Sequence, residues 1–158
     1  MKLLIIGGTG MLGHKLVQVL QKKYEVFCTL RNDLAEFSDY DFYKEIQVVK
    51  NIKIESIEKI KFALNKIRPD YVINAVGIIK QIPTAKDIIK TLETNSIFPH
   101  RLAELTDDYQ FKLITIGTDC VFSGEKGNYV ESDPADAIDL YGKSKNFGEL
   151  HGKNCLTL

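Results

Sequence analysis

Seven residues near the N-terminus, Gly7-Gly8-Thr9-Gly10-Met11-Leu12-Gly13, constrain this chain more than any other feature. Three of their glycines stand at spacing three and three. They follow the apolar run Leu3-Leu4-Ile5-Ile6 and open a stretch that puts Leu12, Leu16 and Leu20 on one helical face. A strand, a glycine turn and an amphipathic helix in that order form the context that cradles a dinucleotide pyrophosphate. Gly7 permits the tight turn, Gly10 lets backbone approach the pyrophosphate, and Gly13 lets the helix pack on the strand. The helix start, through Met11 and Leu12, then offers free N–H groups and partial positive charge to the phosphates.

The same alternation runs on down the chain. Short apolar runs predict strands over 2–6, 25–30, 47–49, 71–74, 112–116 and 155–158. Helical patterns fill the intervals over 11–22, from a Ser56 cap to about Ile67, over 84–107 and over 140–151. In the second helix Ile57, Ile60, Ala63, Leu64 and Ile67 face inward, and Pro69 stops it. Continuously apolar strands alternating with helices imply the α/β class: a doubly wound parallel (Rossmann) sheet in a three-layer α/β/α arrangement. Residues 1–158 form one such domain. Its ligand belongs beyond the carboxyl ends of the strands, where Gly7, Asn74 and Gly117 fall.

Charge and composition exclude several classes. Lys+Arg and Asp+Glu are 21 each, so no long-range field draws the chain to nucleic acid or an anionic membrane. No apolar run reaches the length of a signal peptide or a membrane span, which predicts a cytoplasmic protein. Cys28, Cys120 and Cys155 lack any C-x-x-C spacing and read as small packing residues. His14, His100 and His151 are scattered, so no metal site is expected.

The end of the second strand reads Thr29-Leu30-Arg31-Asn32-Asp33. An acidic residue there favours NAD through the ribose hydroxyl, and a cation accommodates the 2′-phosphate of NADP. Arg31 favours NADP, and Asp33 keeps NAD open. Farther on, Tyr141-Gly142-Lys143-Ser144-Lys145 puts Tyr141 and Lys145 on one helix face. A free tyrosine titrates near about pH 10, so an acid of this kind needs its phenolate stabilised, which a lysine one turn away does. Tyr40-x-x-x-Lys44 repeats the spacing far from any expected active-site strand and reads as a coincidence. Thr118 closes the strand over 112–116 and is placed to donate a hydrogen bond to the same substrate oxygen as Tyr141. Pro99 clashes with the carbonyl of Asn95 in a regular helix, and a kink there would free that carbonyl to hold a water.

With Asn74-Ala75-Val76-Gly77, Thr118-Asp119-Cys120-Val121-Phe122-Ser123-Gly124, Tyr129-Val130-Glu131-Ser132-Asp133 and Gly148-Glu149 in sequence order, the chain resembles the extended short-chain dehydrogenases. The stretch from Thr118 to Glu149 looks most like the dTDP-4-dehydrorhamnose reductases. The resemblance implies Tyr141 as proton donor and Lys145 as the group that binds the nicotinamide ribose and tunes Tyr141. It implies Thr118 and Asp119 at a keto-sugar nucleotide substrate, Ala75, Val76 and Gly77 along the cofactor cleft, and Asn95 in a proton relay. Two positions depart from the pattern. Gly117 stands where the family has a serine or threonine, and Lys53 stands where an aspartate contacts adenine.

The resemblance further implies a second, smaller substrate domain after the sixth strand, and a homodimer remains open. Reduction of a 4-keto nucleotide sugar, as in deoxysugar and cell-surface polysaccharide synthesis, is the leading expectation. An epimerase of the same superfamily is the nearest alternative. A 4,6-dehydratase is disfavoured, because Cys120 occupies the place of the extra acid that dehydratases carry. A non-catalytic NAD(P)-sensing module is the third reading, against which stand both Tyr141 and Lys145.

Overall fold

The computed structural model describes residues 1–32 and 40–158. Six strands form an all-parallel sheet: β1 (Lys2–Ile6), β2 (Glu25–Thr29), β3 (Gln47–Val49), β4 (Tyr71–Asn74), β5 (Lys112–Thr115) and β6 (Cys155–Thr157). Their order is β3-β2-β1-β4-β5-β6. The chain therefore reverses its direction of winding at β1, and β1 and β4 are neighbours although β2 and β3 intervene in sequence. Register follows directly, with Leu4 opposite Phe27 on one side and Val72 on the other. Alternate β1 residues face opposite layers. Leu4 and Ile6 join a core with Ile60, Leu64, Phe98 and Leu102, whereas Leu3 and Ile5 join one with Val17, Val26 and Tyr43. Burial on both faces is what a continuously apolar strand demands.

Helix α1 (Met11–Leu20) covers one face, and α2 (Ile57–Ile67) the other. The buried positions of α1 are Gly13 and Val17. Leu16 and Leu20 flank them, while Leu12 turns outward beside the phosphate loop. Helix α2 buries Ile60, Ala63, Leu64 and Ile67 as its periodicity requires. Ser56 occupies its N-cap position, but its side chain makes no capping bond, so apolar packing rather than the cap holds that end.

The region expected as one helix over 84–107 is segmented. A 3₁₀ turn at Pro83–Lys86 precedes α3 (Ile88–Leu92), a π-helical turn spans Glu93–Ile97, and α4 (Phe98–Ala103) continues without a break. A separate short α5 (Thr106–Tyr109) follows. The π turn is the answer to Pro99. The Phe98 amide bonds to the Glu93 carbonyl, one residue farther back than in an α-helix, and the extra residue accommodates the proline without a break. Helix α6 (Leu140–Phe147) ends four residues before the expected boundary and is closed by Gly148.

Candidate functional site

The phosphate loop is built by the removal of side chains. Gly7 has φ +87°, and a Cβ there would lie 2.7 Å from the Val76 side chain. A Cβ on Gly13 would lie 2.0 Å from the Gly7 carbonyl oxygen, so this glycine is what lets α1 rest on its own entry turn. Gly10 differs. Its nearest atom would be 3.5 Å away, and the space beside it opens into the cleft. The first α-helical bond runs from the His14 amide to the Gly10 carbonyl, 2.9 Å. The amides of Met11, Leu12 and Gly13 thus precede the helical ladder and are available to an anion. Met11 is 84% exposed.

Three partners outside the glycine motif fix this loop. Thr29 accepts from Gly7 N–H with its hydroxyl (3.2 Å) and from Gly8 N–H with its carbonyl (3.0 Å). The buried Tyr43 hydroxyl donates to the Gly8 carbonyl at 2.7 Å. Burial, followed by the neighbouring Cys28 and Tyr40, pushes that phenol up to about 12, so it stays a donor across neutral pH. Gly8 itself packs against Cys28, where a Cβ would come within 2.8 Å. The sequence offered no periodicity around Tyr43, and Thr29 read as one more strand residue.

A cleft of about 430 Å³ opens beyond the carboxyl ends of β1, β2 and β4, against Gly7, Gly10, Arg31, Lys53, Val76 and Gly77. Ala75 also lines it. Arg31 and Lys53 are both exposed and line the cleft, so it carries two cations beyond the end of β2. Asp33 lies outside the described residues. The residues present fit a dinucleotide: a loop open at Gly10, unpaired helix-start amides for the pyrophosphate, and cations at the end of β2.

The other half of the site centres on α6. Asp139 caps it, accepting from Gly142 N–H at 2.7 Å. Gly142 is the contact that sets the geometry, since a Cβ there would lie 2.2 Å from the Cys120 carbonyl oxygen. That approach presses the start of α6, and with it Tyr141, against the 3₁₀ turn Asp119–Val121 that Thr118 caps. Thr118 Oγ1 accepts from Cys120 N–H at 3.2 Å and donates to Asp119 Oδ1 at 3.4 Å, a long bond at the exposed edge of the turn. Asp119 is exposed. Lys145, one turn after Tyr141, reaches back across the site and donates to the Ile116 carbonyl at the end of β5, 2.5 Å. Burial pushes its ammonium below the usual lysine range, with Glu149 opposing the shift.

A buried polar latch then ties α6 to the π turn. Asn95 is 1% exposed. Its Oδ1 accepts from Ile78 N–H at 2.8 Å, and its Nδ2 donates to the Ile78 carbonyl at 2.9 Å and to Ser144 Oγ at 3.0 Å. Ser144 in turn donates to the Tyr141 carbonyl, 2.7 Å, and Ser96 donates to the Ser144 carbonyl, 2.7 Å. The Asn95 carbonyl faces Gly148, where a Cβ would lie 1.9 Å away. The carbonyl released by Pro99 thus lies against the end of α6, and Asn95 joins the loop after β4 to the tyrosine helix. Ser144 and Ser96 were missed in the sequence, where they read as spacers.

Gly117 has its own reason. Its amide donates to the Leu158 carbonyl (2.5 Å), and a Cβ would come within 2.9 Å of that oxygen. The second Tyr-x-x-x-Lys lies elsewhere: Tyr40 precedes a 3₁₀ turn, Asp41–Lys44, and packs on His14 and Phe42, while Lys44 pairs with Asp41 at 2.7 Å. The loop after Val121 is scaffolding, with Tyr129 stacked on Phe122 at 4.4 Å and Asp133 paired to Lys126. Among the described residues no group of three or more His, Cys, Asp or Glu converges as metal ligands, and no helix is long and apolar enough to cross a membrane.

A doubly wound sheet, a glycine cradle at the end of β1 and a Tyr-x-x-x-Lys helix against the end of β5 define the short-chain dehydrogenase/reductase class of dinucleotide folds. Within it, residues 1–154 match the family described as RmlD substrate binding domain, and the chain belongs to that family. Among similar proteins is the spore coat polysaccharide biosynthesis protein SpsK of Bacillus subtilis, 28% identical over 94% of this chain and 47% of its own length. A solved structure of a hypothetical dTDP-4-dehydrorhamnose reductase from Sulfolobus tokodaii is 28% identical. It superposes with a TM-score of 0.81 over 99% of this chain and 54% of its own. The Bacillus anthracis dTDP-4-dehydrorhamnose reductase, solved in complex with NADP, is 24% identical with a TM-score of 0.72, over 93% of this chain and 47% of its own. The chain spans about half the length of the curated relatives it matches.

Proposed function

We propose that the protein carrying this chain reduces the C4 carbonyl of a nucleotide-linked keto-sugar, and that residues 1–158 hold the dinucleotide and the proton donor. The observation that carries this reading is the 2.2 Å approach a Cβ on Gly142 would make to Cys120. It holds the start of α6, which carries Tyr141, against the 3₁₀ turn that Thr118 caps. When bound, NADPH supplies the hydride to the carbonyl carbon. Tyr141 gives its hydroxyl proton to the carbonyl oxygen, Thr118 donates a second hydrogen bond to that oxygen, and Lys145 steadies the phenolate left behind. Asp119, exposed beside Thr118, meets the sugar. Asn95 is a positioning residue, because its amide holds the Ile78 backbone against the helix that carries Tyr141.

The amides of residues 11–13 would hold the pyrophosphate, and Ala75, Val76 and Gly77 would wall the nicotinamide half. Arg31 supports NADP over NAD, because a cation at the end of β2 pairs with a 2′-phosphate. The relatives' names, polysaccharide biosynthesis and dTDP-4-dehydrorhamnose reductase, support a nucleotide sugar as partner. A net charge of zero supports neither nucleic acid nor membrane as a partner. We place the enzyme in the cytoplasm and leave a homodimer open.

The full-length protein should oxidise NADPH in the presence of a 4-keto nucleotide sugar. Tyr141→Phe should retain NADPH binding yet lose a factor of roughly 10² to 10⁴ in turnover, while Tyr40→Phe remains as active as wild type. No oxidation with any 4-keto nucleotide sugar would overturn the reading. Tightly retained NAD without net turnover would turn it to an epimerase.

A further inference from the structure

Lys80 lies in the connection from β4 to α3, outside every motif read from the sequence. Its ammonium sits over the Tyr141 ring, 5.6 Å from the centroid, and donates to Asp139 Oδ2 at 2.6 Å. Asp139 is the residue that caps the tyrosine helix, so one lysine touches both the ring and the cap. Charged and titratable groups on α6 and the segments against it include Asp139, Lys143, Lys145 and Glu149, Asp119 and Cys120 on the 3₁₀ turn, and Lys90 and Glu93 on α3 and the π turn; Lys80 is the one that stands over the ring. Of these, Lys145 gives its ammonium to the Ile116 carbonyl. Lys80 and Asp139 are each about half exposed, on the open side of the helix.

From this geometry we infer that Lys80 is a second positioning residue for the proposed proton transfer: a cation over the ring face that favours the ionised tyrosine, held there and partly offset by Asp139. The Asp139 carboxylate raises Lys80 above the usual lysine range, and Lys80 holds Asp139 below the usual carboxylate range. The pair therefore stays charged wherever a tyrosine acid operates. Burial disfavours the ammonium of Lys145, whereas the bond to Asp139 favours that of Lys80.

The two members of the pair act on Tyr141 with opposite sign, and that separates electrostatics from scaffolding. The readout is the alkaline limb of the reductive pH–rate profile of the full-length protein, where turnover falls as the tyrosine loses its proton. Lys80→Met leaves the Asp139 anion unopposed, and the limb moves to higher pH. Asp139→Asn keeps a capping side chain, frees the ammonium, and moves the limb to lower pH. Each shift is about half a pH unit, as suits a partly exposed pair, and each shrinks in high salt. Lys80→Arg restores the wild-type limb. If the pair were a mechanical clamp, both variants would lose it alike. Limbs that stay in place, or move in the same direction in both variants, overturn the inference. It rests on the reductase reading, so the near-ultraviolet tyrosinate titration of each variant, corrected with Tyr141→Phe, gives an independent measure. Opposite shifts there with no turnover refute the reductase and retain the role of Lys80; equal or absent shifts refute Lys80 whatever the activity.

Discussion

Around the phosphate loop, a methyl group has almost nowhere to go. Gly7, Gly8 and Gly13 would each bring a Cβ within 2.8 Å of another atom. Gly13 meets the backbone of its own loop, six residues earlier, and most of the bonds that fix the segment run through peptide groups. Around α6 the contacts come from far along the chain. Asn95 and Ser144 are 49 residues apart, Lys80 and Asp139 59, Lys145 and Ile116 29. Each of these contacts needs a particular side chain. The cradle is thus mainly a local backbone object steadied by Thr29 and Tyr43, and the proton-donor side is a tertiary object that joins close backbone approaches at Gly142 and Gly148 with side-chain bonds from far along the chain. A local backbone device fails when bulk is added to it. A tertiary side-chain device fails when one hydrogen-bonding atom is removed.

Gly13→Ala should show the largest effect, destabilising the chain by at least about 3 kcal/mol because backbone on both sides must move. Gly10→Ala is its counterpart, with 3.5 Å to the nearest atom. Its urea midpoint should match wild type while NADPH affinity falls at least tenfold, about 1.4 kcal/mol. A cradle that tolerates Gly13→Ala would break the comparison. Ser144→Ala probes the other side. It strands the Asn95 amide in a site where Ser144 is 0% exposed, which should cost about 1–3 kcal/mol by urea unfolding. Turnover should fall more than NADPH binding does. A neutral Ser144→Ala would show that packing alone holds α6. Arg31→Ala should be the smallest, weakening NADPH by about 1–2 kcal/mol, roughly tenfold, with NADH unchanged by calorimetry. Equal losses for both cofactors would remove Arg31 from 2′-phosphate recognition.

The same division decides what could be read from the sequence. The six strands, the parallel sheet and the glycine loop announce themselves because period, spacing and sequence neighbourhood are local quantities. Tyr141 and Lys145 are legible because one helical turn joins them. The π turn is not: a helix with one extra residue keeps nearly the same apolar pattern, and Pro99 announces a disturbance without saying which kind. Ser144 sits inside Tyr-x-x-x-Lys as an unremarked spacer, and its partners stand 48 and 49 residues upstream. Tyr43 lies inside the very segment that reads as a coincidental repeat of that motif, yet its hydroxyl holds the phosphate loop. Lys80 belongs to a connection without periodicity, and its approach to Tyr141 is a product of the fold. Cys28 is buried as expected, but Cys120 and Cys155 are half-buried at turn and edge positions.

The place of β1 in the middle of the sheet has a consequence for how the chain comes together in time. β1 pairs with β2 after a short helical crossover, but its other edge waits for β4, and Lys2 N–H bonds to Asp70, 68 residues downstream. Closing so long a loop is slow, and strand pairing of this kind ranks among the slower steps of folding. Until β4 arrives, one flank of β1 is an open edge and Gly7 lacks the wall that Val76 gives it. A chain emerging residue by residue therefore forms β1, α1 and β2 first, as a half-built cradle with apolar Leu4 and Ile6 uncovered. The cradle becomes able to hold a dinucleotide when the fourth strand closes beside it.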